Sequence, residues 1–143
     1  MLLILVILPL FSISAEDICG YKPQATVSIK NSQGIERSFE VGIADTPAKY
    51  ERGLMHCKEL KKGSGLFFIF NQDRLQYFWM KNTLIPLAII YIDKNFEVVS
   101  VGRGVPLSTK MVPSFKPARY VLEVNWEEGK DVKPGDKAVF KMK

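Results

Sequence analysis

Apolar residues recur along the chain with a period of two, in short runs separated by turn-forming residues, the pattern of β-strands that bury one face. Val27 and Ile29 alternate with polar neighbours, Asn31-Ser32-Gln33-Gly34 supplies a turn, and Phe39, Val41 and Ile43 resume the alternation, which predicts a hairpin. Leu66 to Phe70 and Leu87 to Ile92 are continuous apolar runs of strand length, expected of strands covered on both faces. Tyr77 to Lys81 is a further predicted strand between them. After the tight turn Asp93-Lys94-Asn95 come Val98 to Val101 and then a long proline-bearing loop (Val105 to Pro117) that reads as an ordered lid or a mobile surface segment. Tyr120 to Val124 and, past the Pro134-Gly135-Asp136 turn, Ala138 to Met142 complete the set. One helical signal interrupts: Thr46 suits an N-cap, Pro47 the first helical position, and Tyr50 and Leu54 fall on one face, with an end expected near Met55. The fold class is therefore mainly β, an antiparallel sandwich or barrel-like domain of seven to eight strands with one short helix.

Met1 to Ala15 stands outside this pattern. The stretch is apolar and uncharged and ends in small residues before Glu16-Asp17, so it reads as a secretory signal cleaved after Ala15. A membrane-crossing helix needs about 20 apolar residues, and Pro9 interrupts a run already shorter than that; retention as an N-terminal anchor is the alternative. The expected organisation is a signal (1–15), an N-terminal arm (16–26) and one β domain (27–143), exported to the periplasm or beyond. No repeat, low-complexity tract or interdomain linker divides it. Export places Cys19 and Cys57 in an oxidising compartment, where they form either a structural disulfide or two buried thiols.

Composition then removes several classes. With 47% hydrophobic and 24% charged residues among 143, the chain is far from the composition of a disordered protein. One histidine and two cysteines are too few for a zinc ribbon or an iron–sulfur cluster. The net charge of +5 is dispersed, with Lys58, Lys61 and Lys62 in one small group and five C-terminal lysines interleaved with Asp131 and Asp136. No basic stripe with interleaved aromatics is present, so nucleic acid is not an expected partner. Anionic envelope polymers are the better match for the charge. No cofactor or metal is expected, the chain is expected to be monomeric, and its membrane contact is peripheral or none.

The densest polar and aromatic segment is Tyr77-Phe78-Trp79-Met80-Lys81-Asn82-Thr83. In a strand, Phe78, Met80 and Asn82 face one way and Tyr77, Trp79, Lys81 and Thr83 the other. Trp79 beside Lys81 offers a ring for an apolar or sugar face and an ammonium for an anion; core packing and a strand end account for the same residues. Arg52 and Arg119 could each present a planar fork to a carboxylate or phosphate. The competing role is an internal ion pair, Arg119 with Glu123 and Arg52 with Glu51 or Asp45.

Catalytic patterns are sparse. His56 is the only histidine, and no nucleophile-elbow serine accompanies it. A Cys57–His56 dyad is disfavoured because neighbouring side chains diverge. Glu51, Glu123, Asp45 and Asp73 could supply a carboxylate pair for glycoside chemistry, though no spacing fixes their separation. Met55, His56, Cys57 and Met80 carry soft ligands suited to Cu(I), but consecutive residues rarely converge on one ion.

Glu51 to His56, Gly65 to Phe70, Phe78 to Leu87 and Pro117 to Glu123 together make the chain resemble the DUF192 (UPF0127) family over about Val27 to Phe140. The resemblance implies a small, mainly β, often exported domain, and carries no biochemical activity with it. Two positions depart from the family's pattern: Ala88 stands where an acidic residue is usual after Pro-Leu, and Cys57 where an arginine commonly follows RGLM-x. If those two residues form a polar site or an ion pair in other members, both partners are missing here.

The sequence thus points to an exported binding or accessory module of the cell envelope, with Arg52, Trp79, Lys81, Asn82 and Arg119 as candidate ligand-binding residues. The alternatives are an enzyme acting on an envelope glycan or polymer through Glu123 or His56, and a periplasmic copper binder.

Overall fold

The computed structural model describes residues 6–7 and 17–143, so the expected signal lies almost wholly outside the described residues. The elements follow in the order β1 (Ala25–Lys30), β2 (Glu36–Ala44), α1 (Pro47–Arg52), β3 (Ser64–Arg74), β4 (Tyr77–Phe78), β5 (Leu87–Ile92), β6 (Val98–Gly104), β7 (Val112–Pro113), β8 (Ala118–Asn125), α2 (Trp126–Gly129) and β9 (Lys137–Met142). The mainly β class is as the alternation predicted. Seven strands form one sheet in the order β6-β5-β8-β3-β2-β1-β9, while β4 and β7 pair separately.

The β1–β2 hairpin runs from Ala25 opposite Val41 to Lys30 opposite Glu36. Its turn is held by Asn31, whose Oδ1 accepts from the backbone N–H of Gln33 and of Ile35, and by Gly34 in the left-handed region. One pair departs from the antiparallel expectation: β2 and β3 run parallel, Glu40 opposite Ser64 through Ala44 opposite Phe68. Residues 45–63, including α1, carry the chain back to the level where that pairing began, and a crossover of this length is what parallel strands require. The two outermost strands, β6 and β9, approach at one end. Glu97 bridges Lys137, Val98 N–H donates to Asp136 O (2.9 Å) and Ala138 N–H to Phe96 O (2.8 Å), so the sheet curls into a partial barrel.

Alternate residues of the central strands serve two cores. Phe67, Ala88, Ile90, Leu122 and Val124 point into the barrel with Val27, Phe39 and Val41. There Phe67 stacks on Tyr120 (5.5 Å) and Phe140 (5.1 Å). Leu66, Phe68, Leu87, Ile89, Tyr91 and Val121 point outward and are covered by Leu54, Leu60, Met80 and the arm residues Ile18 and Tyr21. This double burial is why β3 and β5 read as unbroken apolar runs.

Three local expectations change. Helix α1 stops at Arg52, short of Met55, because Gly53 takes φ +47° and its N–H closes on Lys49 O. The predicted strand Tyr77–Lys81 pairs only at Tyr77 and Phe78, since its partner β7 is two residues long. A single unpredicted turn of helix, α2, follows β8.

Candidate functional site

The outer core is not filled. A cavity of about 160 Å³ opens beside α1, lined by Tyr50, Glu51, Arg52 and Leu54 from the helix and its exit, Phe68 and Phe70 from β3, Phe78, Trp79 and Thr83 from the segment after it, and Glu123 from β8.

Each wall has a local cause. Thr46 caps α1 by accepting from Lys49 N–H, and Tyr50 Oη donates to Ile69 O (2.6 Å), which docks the helix on β3. The chain from Leu75 to Met80 is extended and alternates, with Leu75, Tyr77 and Trp79 exposed and Gln76 and Met80 buried. Phe78 therefore turns inward, edge-on to Phe68 (4.9 Å) and Tyr91 (5.8 Å). The proline-bearing segment is laced to this wall through β4–β7 pairing, Met80 N–H to Ser108 O and Leu107 N–H to Thr83 O. Asn82, left-handed at φ 54°, uses its carbonyl to accept from His56 N–H (2.8 Å), tying the turn after α1 to the turn after Trp79.

Glu123 forms the floor. It is 4% exposed, and among the described residues its carboxyl has neither an ion pair nor a hydrogen bond. Burial alone pushes its pKa up to about 8, so the acid is mostly neutral at pH 7. The hydroxyls of Tyr21 and Tyr91 are also held above their ordinary range, first by burial, with the charge of Glu123 adding to the shift.

The structure separates the predicted site residues. Trp79 lines the cavity, and Lys81 Nζ lies 5.2 Å from the centre of its ring, so these two do share a face. Asn82 acts through its backbone. Arg52 lines the cavity, but its guanidinium is turned to the arm, donating from Nη2 to Cys19 O (2.8 Å) and lying 4.7 Å over the Tyr21 ring. Neither expected arginine ion pair forms: Asp45 pairs with Lys49 (3.5 Å), and Arg119 Nε is buried without a partner. A strand rises about 3.3 Å per residue, so residues four apart stand roughly 13 Å from each other, beyond ion-pair reach.

Of the two readings for the cysteines, the structure has the disulfide, Cys19 to Cys57 with Cα atoms 5.5 Å apart. That removes the Cys57 thiol from the dyad and from the copper set, and Met80 is buried in the outer core. Ala88 and Cys57 lie in different cores, on opposite faces of the sheet, so these two positions do not share a polar site. In the sequence Glu123 figures as one of four loose carboxylates, as a partner for Arg119 and as an acid of the enzyme alternative, but not among the candidate ligand-binding residues. The signal that singles it out is its place in β8: Leu122 and Val124 face the barrel, so Glu123 faces the outer core, where an acid is out of place.

Each of the four segments that carry the family resemblance contributes to this one cavity. The DUF192 family model, described as Uncharacterized ACR, matches residues 27–140. No curated protein matches the chain. A structure from Sinorhizobium meliloti 1021, provisionally described as a transcription regulator, superposes with a TM-score of 0.79 at 30% identity, covering 84% of this chain and 95% of its own. A protein of unknown function from Novosphingobium aromaticivorans DSM 12444 superposes with a TM-score of 0.75 at 32% identity, covering 80% and 83%. Matched along most of its length by the family model, the chain belongs to the DUF192 family.

Proposed function

We propose that the protein is a ligand-binding module of the cell envelope, and that the aromatic cavity over Glu123 is its site. The observation that carries this reading is the carboxyl itself. The acid is 4% exposed, has no protein hydrogen-bond partner among the described residues and opens onto the cavity, where a ligand could pair with it. At about 160 Å³ the cavity is smaller than the roughly 300–1,000 Å³ of a drug-sized site, so it suits a side chain, a headgroup or a small metabolite. The Cys19–Cys57 disulfide fits an oxidising compartment and agrees with the apolar leader. Binding is favoured over catalysis because Cys57 is oxidised and no nucleophile with an adjacent base stands among the lining residues.

The test is a small-fragment screen by amide chemical-shift mapping on the full chain. Hits are expected to move the amides of Tyr50, Phe78, Trp79 and Glu123. Hits that map elsewhere, or none at all, overturn the site.

A further inference from the structure

We infer that the cavity takes an organic cation, a primary or quaternary amine of side-chain or headgroup size. This rests on the reading of the cavity as a ligand site and adds the class of ligand.

Six aromatic rings contribute to the wall, Tyr50, Phe68, Phe70, Tyr77, Phe78 and Trp79, the last already carrying the Lys81 ammonium on one face. Aromatic faces carry negative potential and attract ammonium groups, most strongly where water is excluded. The floor is the unpartnered carboxyl of Glu123, and Glu51 adds a second acid to the lining. Arg52 is the one basic residue among those lining the cavity, and its guanidinium is engaged by the Cys19 carbonyl and the Tyr21 ring. An anion entering here meets Glu51 and no free cation among the lining residues, and the protonated Glu123 offers it only a hydrogen bond. A neutral polar molecule leaves the ring faces without a charge to attract. A cation satisfies both the wall and the floor, and its apolar substituents find the aromatic surface.

The groups facing Glu123 sharpen the chemistry. Tyr21 approaches from the arm and Tyr91 from β5, with Glu51 and Arg52 across the cavity on α1 and the uncharged Gln76 and Thr83 beside them. Both tyrosines have pKa values raised above 10 and stay neutral through pH 9, whereas Glu123 changes charge near pH 8. Cation binding therefore converts the neutral acid to a carboxylate paired with the ammonium and releases one proton to solvent. Affinity rises as pH rises towards 8 and levels off above it.

The experiment titrates the full chain calorimetrically with tetramethylammonium and n-butylammonium chloride, the neutral 3,3-dimethylbutan-1-ol and sodium butyrate, with shift mapping in parallel. The expected result is cation binding about 10-fold or more tighter than that of the alcohol, affinity increasing from pH 6 to 8, and release of most of one proton at pH 7 in buffers of different ionisation enthalpy. Glu123→Gln should abolish both the preference and the proton release. Trp79→Leu, which alters an exposed ring and leaves the cores intact, should weaken the cations about 5-fold and the alcohol little. Equal or tighter binding of the alcohol or butyrate, with shifts at the cavity, overturns the ligand class and leaves the site standing. No shift at the cavity with any probe overturns both.

Discussion

Arg119 and Glu123 sit four residues apart on β8 and form no ion pair, so the acid on the cavity floor has no counter-charge on its own strand. Burial raises its pKa from 4.5 to about 8. Below about pH 4.5 the folded and unfolded chains both hold the proton. Between 4.5 and 8 the unfolded chain releases it first, so stability falls as pH rises and levels off above 8. At about 1.4 kcal/mol per decade of proton affinity the loss is on the order of 5 kcal/mol. Urea midpoints at pH 5, 7 and 9 should show this decline in the parent and a flatter profile in Glu123→Gln, which should be the more stable of the two at pH 9. A parent profile that rises from pH 5 to 9 would show that Glu123 is compensated.

The disulfide closes a separation of 38 residues between the arm and the turn after α1. Removing it restores loop entropy to the unfolded chain worth roughly 3–4 kcal/mol. The Cys19→Ser, Cys57→Ser double variant should lose about that much by urea denaturation. Amide exchange should accelerate at Ile18 and Tyr21 before it does in the barrel. A mass two hydrogens below the reduced value in protein taken from its native compartment would confirm the bridge there.

Arg52 anchors the arm rather than the ligand. Arg52→Ala removes a hydrogen bond to Cys19 O and a ring contact with Tyr21, together about 1–2 kcal/mol. Arg52→Lys should recover only part of this, because a single ammonium does not reproduce the planar fork. Loss of stability with little change in affinity for a cavity probe is the expected signature, and the reverse would place the guanidinium in the site.

Phe67 is fully buried in the barrel between Tyr120 and Phe140, so Phe67→Ala should cost about 3–5 kcal/mol. Trp79→Ala should cost less than about 1 kcal/mol, since the ring is 38% exposed. Chemical denaturation of the two variants separates residues that hold the fold from residues that shape the cavity.

The strands were legible because burial imposes its period directly on the sequence, and the β1–β2 hairpin was legible because Asn31 and Gly34 leave little choice of turn. The parallel β2–β3 pairing was not, since it depends on how residues 45–63 cross over the sheet and no local pattern encodes that. For Tyr77 to Met80 the alternation was right and the strand length wrong: a strand needs a partner as well as a period, and β7 offers two residues. Trp79 and Lys81 stood out by composition, and the structure sets Trp79 in the cavity lining with Lys81 over its ring. Glu123 stood in the sequence as a chance carboxylate, a partner for Arg119 and an acid of the enzyme alternative, but not as a ligand-binding residue, because an acid in an alternating strand resembles a solvated one until its neighbours' directions are known.

The division of β3, β5 and β8 between two cores amounts to a parity rule. Phe67, Ile90 and Leu122 belong to the barrel, while Phe68, Tyr91 and Glu123 belong to the cavity side. Substitutions at one parity can recut the binding surface while the barrel's packing stays untouched. Inserting a single residue in any of these strands exchanges the two sets beyond that point and scrambles fold and site together. Diversification of this domain is therefore open to point changes and closed to one-residue slips.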